Sequence, residues 1–294
     1  MKRFLCDTLL TIIPATALLA IGMVVLPAYT AKGADNEYSD KKSYLETHMD
    51  DIALLIAGHS QSECGIDPSV LDSCYNLAML ARISHYDASL LERYVPQMPH
   101  LRAVIFPLIC EYEPGTVLQK RDWRQRLKAA YKYQWAIDPP AELDAIDNWC
   151  QRAYGILEQA FRLHPIRRNV DYDSLGFIAG NTSVGNGNNV YEAPGTEPMV
   201  KASLRRMARV CGEHGVRLLV VTMPCNSTYR AAHGDCDDRM QRLMDEVAGE
   251  YPAVEYRCYL NDERFSDSLF SDQSHMNQAG ATAFALRLKE DFGL

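Results

Sequence analysis

Three short apolar runs limit what this chain can fold into more than any other feature. Residues 52–57 (IALLIA), 103–109 (AVIFPLI) and 216–222 (VRLLVVT) are almost continuously apolar, and a weaker run covers residues 254–258. Short runs without polar alternation are typical of strands that are buried on both faces of a parallel sheet. The runs therefore predict the strands of a central sheet.

Amphipathic helical patterns separate these strands, at residues 86–94, 201–213, 237–248 and 278–292. Strands that alternate with helices predict an α/β fold with a mainly parallel sheet sandwiched by helices, a three-layer flavodoxin-like arrangement. Residues 111–197 break this alternation and predict a helical insertion between two core strands. The insertion contains a Gly/Asn-rich loop at residues 180–189, which is expected to be either a wall of the site or a plain surface excursion.

The N-terminus predicts a membrane segment over residues 1–34. Lys2 and Arg3 precede an apolar stretch at residues 4–29. Such a stretch is typical of a retained signal anchor or of a cleaved signal peptide. A polar linker at residues 35–51 follows, and residues 52–294 form the predicted domain. The positive-inside rule puts that domain on the periplasmic or extracellular side, membrane-anchored or secreted after cleavage.

Composition excludes several classes of protein and cofactor. The formal net charge is −8 and no long Lys/Arg run occurs, which argues against a nucleic-acid partner.

Eight of the nine cysteines lie outside the predicted membrane segment. An even number suits disulfides in an oxidising compartment, although buried free thiols are the alternative. Cys64 with Cys74, or Cys225 with Cys236, are the preferred pairs because each closes a short loop. Zinc-type spacing is missing, so neither a metal nor a cofactor is predicted.

Two polar motifs carry the candidate chemistry. Ser60 directly follows the first predicted strand, within the turn Gly58-His59-Ser60-Gln61. Asp272 and His275 stand three residues apart just before the last predicted helix. Ligands in open α/β sheets bind at the carboxyl ends of the strands. We therefore expect Ser60 to act as a nucleophile, His275 as its general base and Asp272 as the carboxylate that orients the imidazole.

These motifs resemble the SGNH/GDSL hydrolase superfamily, whose nucleophilic Ser follows the first strand and whose D-x-x-H precedes the last helix. His59 stands where that family has the Asp of its GDS turn. Asn277 and Gly280 match the structural residues that follow the family's His. The resemblance covers roughly residues 52–110 and 198–292. Among its members, the chain is most like the exported DltD-type and alginate-acetylation-type SGNH-like proteins.

The oxyanion site of that family departs from its usual pattern here. The stretch 75–81 resembles the family's second block and puts Ala81 where a Gly normally offers a backbone N–H. The third block normally supplies an Asn side chain, but Glu111 stands nearby instead. A protonated Glu111 facing Ser60 would donate to the oxyanion. Asn226 and Asn181 are the alternative side-chain donors.

The resemblance implies an exported acyl esterase or acyltransferase that acts on O-acyl groups of a cell-surface glycan or polymer through a Ser60 acyl-enzyme. The implied partners are the acylated glycan, a membrane-bound O-acyltransferase, and the inner membrane through the N-terminal segment. The missing Asn leaves an alternative: a non-catalytic SGNH-like protein that binds the acyltransferase or the glycan of the cell envelope.

Overall fold

A computed structural model describes residues 2–32, 37–114, 118–146, 172–179 and 196–294. Its centre is a parallel sheet of five strands in the order β2-β1-β3-β4-β5. The strands are β1 (Leu54–Ile56), β2 (Cys74–Asn76), β3 (Ala103–Leu108), β4 (Arg217–Thr222) and β5 (Val254–Cys258). The α/β fold with a parallel sheet predicted from the apolar runs is thus confirmed, and β2 is a strand that those runs did not predict.

The helices of the described residues are α1 (Lys2–Lys32), α2 (Glu37–His48), α3 (Ser60–Gly65), α4 (Ser84–Tyr94), α5 (Arg121–Ala130), α6 (Ala141–Ala145), α7 (Glu197–Glu213), α8 (Ser227–Ala232), α9 (Cys236–Glu250) and α10 (Gln278–Phe292). A π-helical turn, Tyr131–Trp135, extends α5. Short 3₁₀ turns occur at Pro68–Val70, Val95–Gln97 and Asp267–Leu269.

The sheet is buried on both faces because successive strand side chains point to opposite sides. On one face, Ile56, Ile105 and Val221 pack in a cluster with Phe284 and Leu288 of α10. The intervening side chains, such as those of Leu55, Val104 and Val220, are also fully buried, on the other face of the sheet. Helix α7 contacts both α4 and α9. Of these helices, α7 also contacts β4, and α9 contacts β5. Burial on both sides explains the continuous apolar runs.

The chain divides into two compact units. One comprises residues 1–42 and 120–168, and the other comprises residues 43–119 and 169–294. Within the first unit, α1 contacts α5 and the π-helical turn, and Lys128 pairs with Asp144 at 3.1 Å. The second unit contains the whole sheet. The Gly/Asn-rich loop predicted at residues 180–189 lies outside the described residues.

The N-terminal segment is helical over Lys2–Lys32. In this helix, side chains are described without a break only over residues 6–22. Within the described residues, no helix is long and apolar enough to cross a membrane.

The disulfide joins Cys110, just after β3, to Cys236, the first residue of α9, with the Cα atoms 5.3 Å apart. The preferred pairs predicted from the sequence are wrong, since Cys64, Cys74 and Cys225 are free and buried. The predicted pairs join cysteines that are close together in the sequence, but closeness in the sequence does not decide the pairing here. Chain crossovers bring together two residues that are 126 positions apart.

Candidate active site

The turn after β1 requires a glycine. Gly58 has φ +102°, and a Cβ atom at this position would lie 2.3 Å from the ring carbons of Pro107. Its N–H donates to the carboxylate of Asp87 at 2.9 Å. The chain therefore turns sharply just before Ser60, at the carboxyl end of β1. In the sheet, β1 lies between β2 and β3. This is the switch point at which open α/β sheets bind ligands.

Helix α3 presents Ser60 as its first residue. His59 is the N-cap, and its Nδ1 accepts the N–H of Gln61. At the other end of α3, the fully buried side chain of Asn76 donates to the carbonyls of Ser62 and Ile66, at 3.0 and 3.2 Å. The Ser62 carbonyl also accepts the N–H of Ile66 at 3.3 Å, the bond that ends α3. The Asn76 side chain thus fastens the end of α3 to the end of β2.

A second turn presents His275. The carboxylate of Asp272 accepts the N–H groups of Ser274 and His275, at 2.9 and 2.8 Å. Asn277 then caps α10 by accepting the N–H of Gly280 at 3.0 Å. A Cβ on Gly280 would lie 2.2 Å from the carbonyl oxygen of Leu269, so only glycine fits. These contacts agree with the structural roles expected for Asn277 and Gly280.

The structure brings Ser60, His275 and Asp272 together in one hydrogen-bonded chain. Nε2 of His275 lies 2.8 Å from Oγ of Ser60. Nδ1 of the same ring lies 2.9 Å from both carboxylate oxygens of Asp272. Ser60 and His275 are 215 positions apart in the sequence. The arrangement has the geometry of a nucleophile, a base and an orienting carboxylate.

Two pKa shifts occur at the site, one within the triad and one at the residue before Ser60. Burial opposes ionisation of Asp272, but the His275 hydrogen bond and charge, with the two N–H donors, hold its pKa below the usual range. Asp272 is therefore a carboxylate that can stabilise an imidazolium. Burial, then the charges of His275 and Arg82, lower the pKa of His59 to about 3. His59 is consequently neutral beside Ser60.

Ala81 adopts the backbone conformation expected for the second-block position. Its φ is +57°, the left-handed region that a glycine usually occupies. The preceding turn is tied to the serine turn, because the N–H of Met79 donates to the carbonyl of Gly58 at 3.0 Å. Within the described residues, the N–H of Ala81 donates to no protein acceptor. As the first residue of α3, Ser60 likewise has an N–H without an intrahelical acceptor.

The carboxylate of Glu111 has other partners than those expected from the sequence. Its Oε2 accepts the hydroxyl of Tyr229 at 2.7 Å, and its Oε1 lies 3.3 Å from Nε2 of His233. In the described part of the chain, none of its hydrogen bonds goes to Ser60 or His275. These contacts engage both carboxylate oxygens, and the role of Glu111 as an oxyanion donor stays a prediction.

Asn226 lies beside the loop that carries the triad, because its backbone N–H donates to the carbonyl of Gln273 at 3.0 Å. Its side-chain oxygen caps α8 by accepting the N–H of Tyr229 at 2.9 Å. The cap uses only Oδ1, so a role of the Nδ2 donor in an oxyanion site stays a prediction. The other alternative donor, Asn181, lies outside the described residues.

Sequence reasoning missed the buried polar groups that support the serine turn. Arg82 pairs with Asp87 at 2.8 Å, and both side chains are almost completely buried. Glu113 is 1% exposed and accepts the backbone N–H of Ser84 at 3.0 Å, at the start of α4. Burial raises the pKa of Glu113 to about 8, although the Ser84 bonds oppose this shift. The only indication of these roles in the sequence is that Arg82, Asp87 and Glu113 each stand next to apolar residues.

The arrangement is suited to acyl transfer. In such a reaction the proton of the Ser60 hydroxyl would pass to Nε2 of His275 while Oγ attacks a carbonyl carbon, and Asp272 would stabilise the resulting imidazolium. In the described residues, no group of His, Cys, Asp and Glu side chains could hold a metal ion.

The sequence matches no protein-family model. A comparison with curated proteins likewise finds no significant match.

Proposed function

We propose that the protein is an exported serine-dependent acyl esterase or acyltransferase. It forms an acyl-enzyme at Ser60 and acts on O-acyl groups of a cell-surface glycan or polymer, as SGNH-like proteins do. The observation that carries the proposal is the 2.8 Å contact between Ser60 and a His275 ring whose other nitrogen lies against Asp272. The glycan and the family rest on the sequence resemblance alone.

Each step of the reaction uses groups that the site contains. Oγ of Ser60 bonds to the ester carbonyl carbon, and the carbonyl electron pair moves to the oxygen. When this tetrahedral intermediate collapses, the bond to the alcohol oxygen breaks and His275 returns its proton to that oxygen. Water or an acceptor hydroxyl then attacks the acyl-enzyme by the same route, which gives hydrolysis or transfer respectively.

Localisation outside the cytoplasm is part of the same proposal. It is supported by the basic and then apolar start of the chain and by the exposed apolar side chains of α1, among them Leu10, Ile13 and Leu18. Exposed apolar surface of this extent is typical of a contact with lipid or another protein. The disulfide between Cys110 and Cys236 also suits an oxidising compartment.

The test is covalent labelling together with turnover. A fluorophosphonate should label the wild-type protein at Ser60, and the protein should hydrolyse 4-nitrophenyl acetate. Ser60→Ala should lose both. Ser43→Ala, which removes the hydroxyl of an exposed serine on α2, should keep both. Labelling of Ser60→Ala at another residue, or equal turnover by the two variants, contradicts the proposal.

The partners of Glu111 favour a second candidate function. The position that would supply the third oxyanion donor holds a carboxylate that Tyr229 and His233 engage. A site with a weak oxyanion hole suits a non-catalytic protein that binds a membrane O-acyltransferase or an acylated glycan. Co-purification with a multi-span membrane protein, combined with no Ser60-dependent turnover, would support this candidate over the enzyme.

A further inference from the structure

The loop between β5 and α10 carries both partners of Ser60 in the triad, and it is closed by its own hydrogen bonds. We call residues 267–277 the triad loop. Within it, the N–H of Ser271 donates to the carbonyl of His275 at 2.9 Å, and Phe270 pairs with Met276 in an isolated antiparallel bridge. These bonds fix the loop internally. The position of His275 relative to Ser60 therefore depends on what holds the triad loop against the rest of the domain.

The start of α8 contacts the triad loop at two points. At the first, the carboxylate of Asp267 accepts the backbone N–H of Ser227 at 2.8 Å and its hydroxyl at 2.5 Å. These two bonds hold the pKa of the Asp267 carboxyl below its usual range. At the second, the backbone N–H of Asn226 donates to the carbonyl of Gln273, the residue after Asp272, at 3.0 Å. The first turn of α8 thus binds both the beginning and the middle of the triad loop.

The other side of α8 is fixed to the carboxyl end of β3. The hydroxyl of Tyr229 donates to Glu111 at 2.7 Å, and Nε2 of His233 lies 3.3 Å from the same carboxylate. The carbonyl of His233 accepts the N–H of Cys236 at 3.0 Å, and Cys236 is bonded to Cys110, the neighbour of Glu111. Helix α8 therefore links the end of β3 to the triad loop.

We propose that α8 positions the triad loop, and that Ser227 and Asp267 are positioning residues for the proposed reaction. This inference rests on the proposed function. Both residues act through His275, whose Nε2 lies 2.8 Å from Oγ of Ser60. Without the Asp267 bonds the triad loop can take more positions, and fewer of them keep this contact. Since proton transfer needs hydrogen-bond contact, a small displacement of the base lowers the rate.

Substitutions of this exposed pair separate positioning from folding. Asp267→Ala removes both bonds to Ser227, and we expect kcat for 4-nitrophenyl acetate to fall by about tenfold, the factor that one hydrogen bond to a charged group contributes. KM and the melting temperature should change little, because Asp267 is exposed and is not expected to touch the substrate. Ser227→Ala removes only the hydroxyl bond and should lose less. Asp267→Asn keeps an acceptor for the N–H of Ser227 and should retain most of kcat.

A matched control and a double variant complete the kinetic test. Glu263→Ala removes another exposed acid from the same connection between β5 and α10 and should leave kcat unchanged. Ser227→Ala/Asp267→Ala should be no slower than Asp267→Ala alone, because the single variant already lacks both bonds. Equal kcat for Asp267→Ala and Glu263→Ala overturns the proposal. A lower kcat that only follows the loss of folded protein overturns it as well.

Hydrogen exchange measures the triad loop directly, without any turnover. In Asp267→Ala the backbone amides of residues 268–276 should exchange faster than in the wild type, and those of the five strands should exchange at the same rate. Unchanged exchange in the triad loop overturns the role of α8, while the proposed function stands if Ser60 is labelled and active. If the wild-type protein is neither labelled at Ser60 nor active on the ester, the proposed function fails, and the positioning role fails with it.

Discussion

The carboxylate of Asp87 accepts the backbone N–H of Gly58 at 2.9 Å and also pairs with Arg82 at 2.8 Å. This one buried side chain thus links the start of α4, the Ala81 turn and the turn that presents Ser60. Both members of the ion pair are almost completely buried, so each charge is stabilised by the other out of contact with water.

Removal of one member of this pair should destabilise the protein strongly. For Asp87→Ala we expect a loss of about 3–5 kcal/mol in the free energy of unfolding, because the buried charge of Arg82 loses the carboxylate with which it pairs. The double variant Arg82→Met/Asp87→Ala should lose less than the sum of the two single variants. Urea denaturation of all three variants measures this coupling. Simple additivity would show that the pair is not coupled.

Replacement of the glycine beneath Ser60 should also be costly. Gly58→Ala puts a Cβ atom 2.3 Å from Pro107 at a φ of +102°. We expect a loss of about 2–4 kcal/mol, since both the steric overlap and the backbone conformation oppose alanine. Gly234→Ala is the matched control, because its Cβ would meet no atom within 4 Å. Equal thermal stability of the two variants would contradict the described turn.

Asp272→Asn should show how much the carboxylate of Asp272 contributes in a site that still contains His275. An amide cannot stabilise the imidazolium as a carboxylate does, so kcat for an acyl ester should fall by about 10³–10⁴-fold. Asp72→Asn changes an exposed acid in the same unit and should leave kcat unchanged. If Asp272→Asn stays within about tenfold of the wild-type rate, Asp272 does not orient the base.

Glu113 should make stability fall as the pH rises. Its pKa is raised from 4.5 to about 8, so the folded state keeps a proton that the unfolded chain loses between these values. Relative to Glu113→Gln, the wild-type free energy of unfolding should therefore decrease by up to about 1.4 kcal/mol per pH unit in this window. His59 has a lowered pKa and acts in the opposite direction below pH 6.5, but it is common to both proteins.

Urea denaturation of the wild type and Glu113→Gln at pH 5 to 8 isolates the Glu113 contribution. Parallel stability curves for the two proteins would show that Glu113 is ionised at the same pH in the folded and unfolded states.

The disulfide should contribute strongly to stability because it closes a long loop. Cys110 and Cys236 are 126 positions apart. The loop-entropy relation predicts a loss of about 4–5 kcal/mol when both are replaced by Ser. Cys6→Ser, which changes an exposed free cysteine, should have no such effect. Peptide mapping without reductant should recover the linked peptides. Full alkylation of both thiols in exported protein would refute the bond.

Much of the fold follows from the sequence, because its causes are local. A strand that is buried on both faces must be apolar at successive positions, which is why β1, β3 and β4 were visible as runs. A nucleophile after the first strand and a D-x-x-H before the last helix were visible for a similar reason, since each motif lies within one turn. Strand β2 was not visible in this way, because it follows the polar residues Asp72 and Ser73 and ends in Asn76, so no continuous apolar run marks it.

Only the tertiary structure decided which residues meet across the chain. The Cys110–Cys236 bond and the contacts of Glu111 with Tyr229 and His233 join residues that are more than 100 positions apart. The Arg82–Asp87 pair is local in the sequence, and packing decided its burial and its bond to Gly58. The sequence determined the residue types at each strand end and the spacing within each turn. Packing determined their partners, because burial and distance depend on every element that surrounds a side chain.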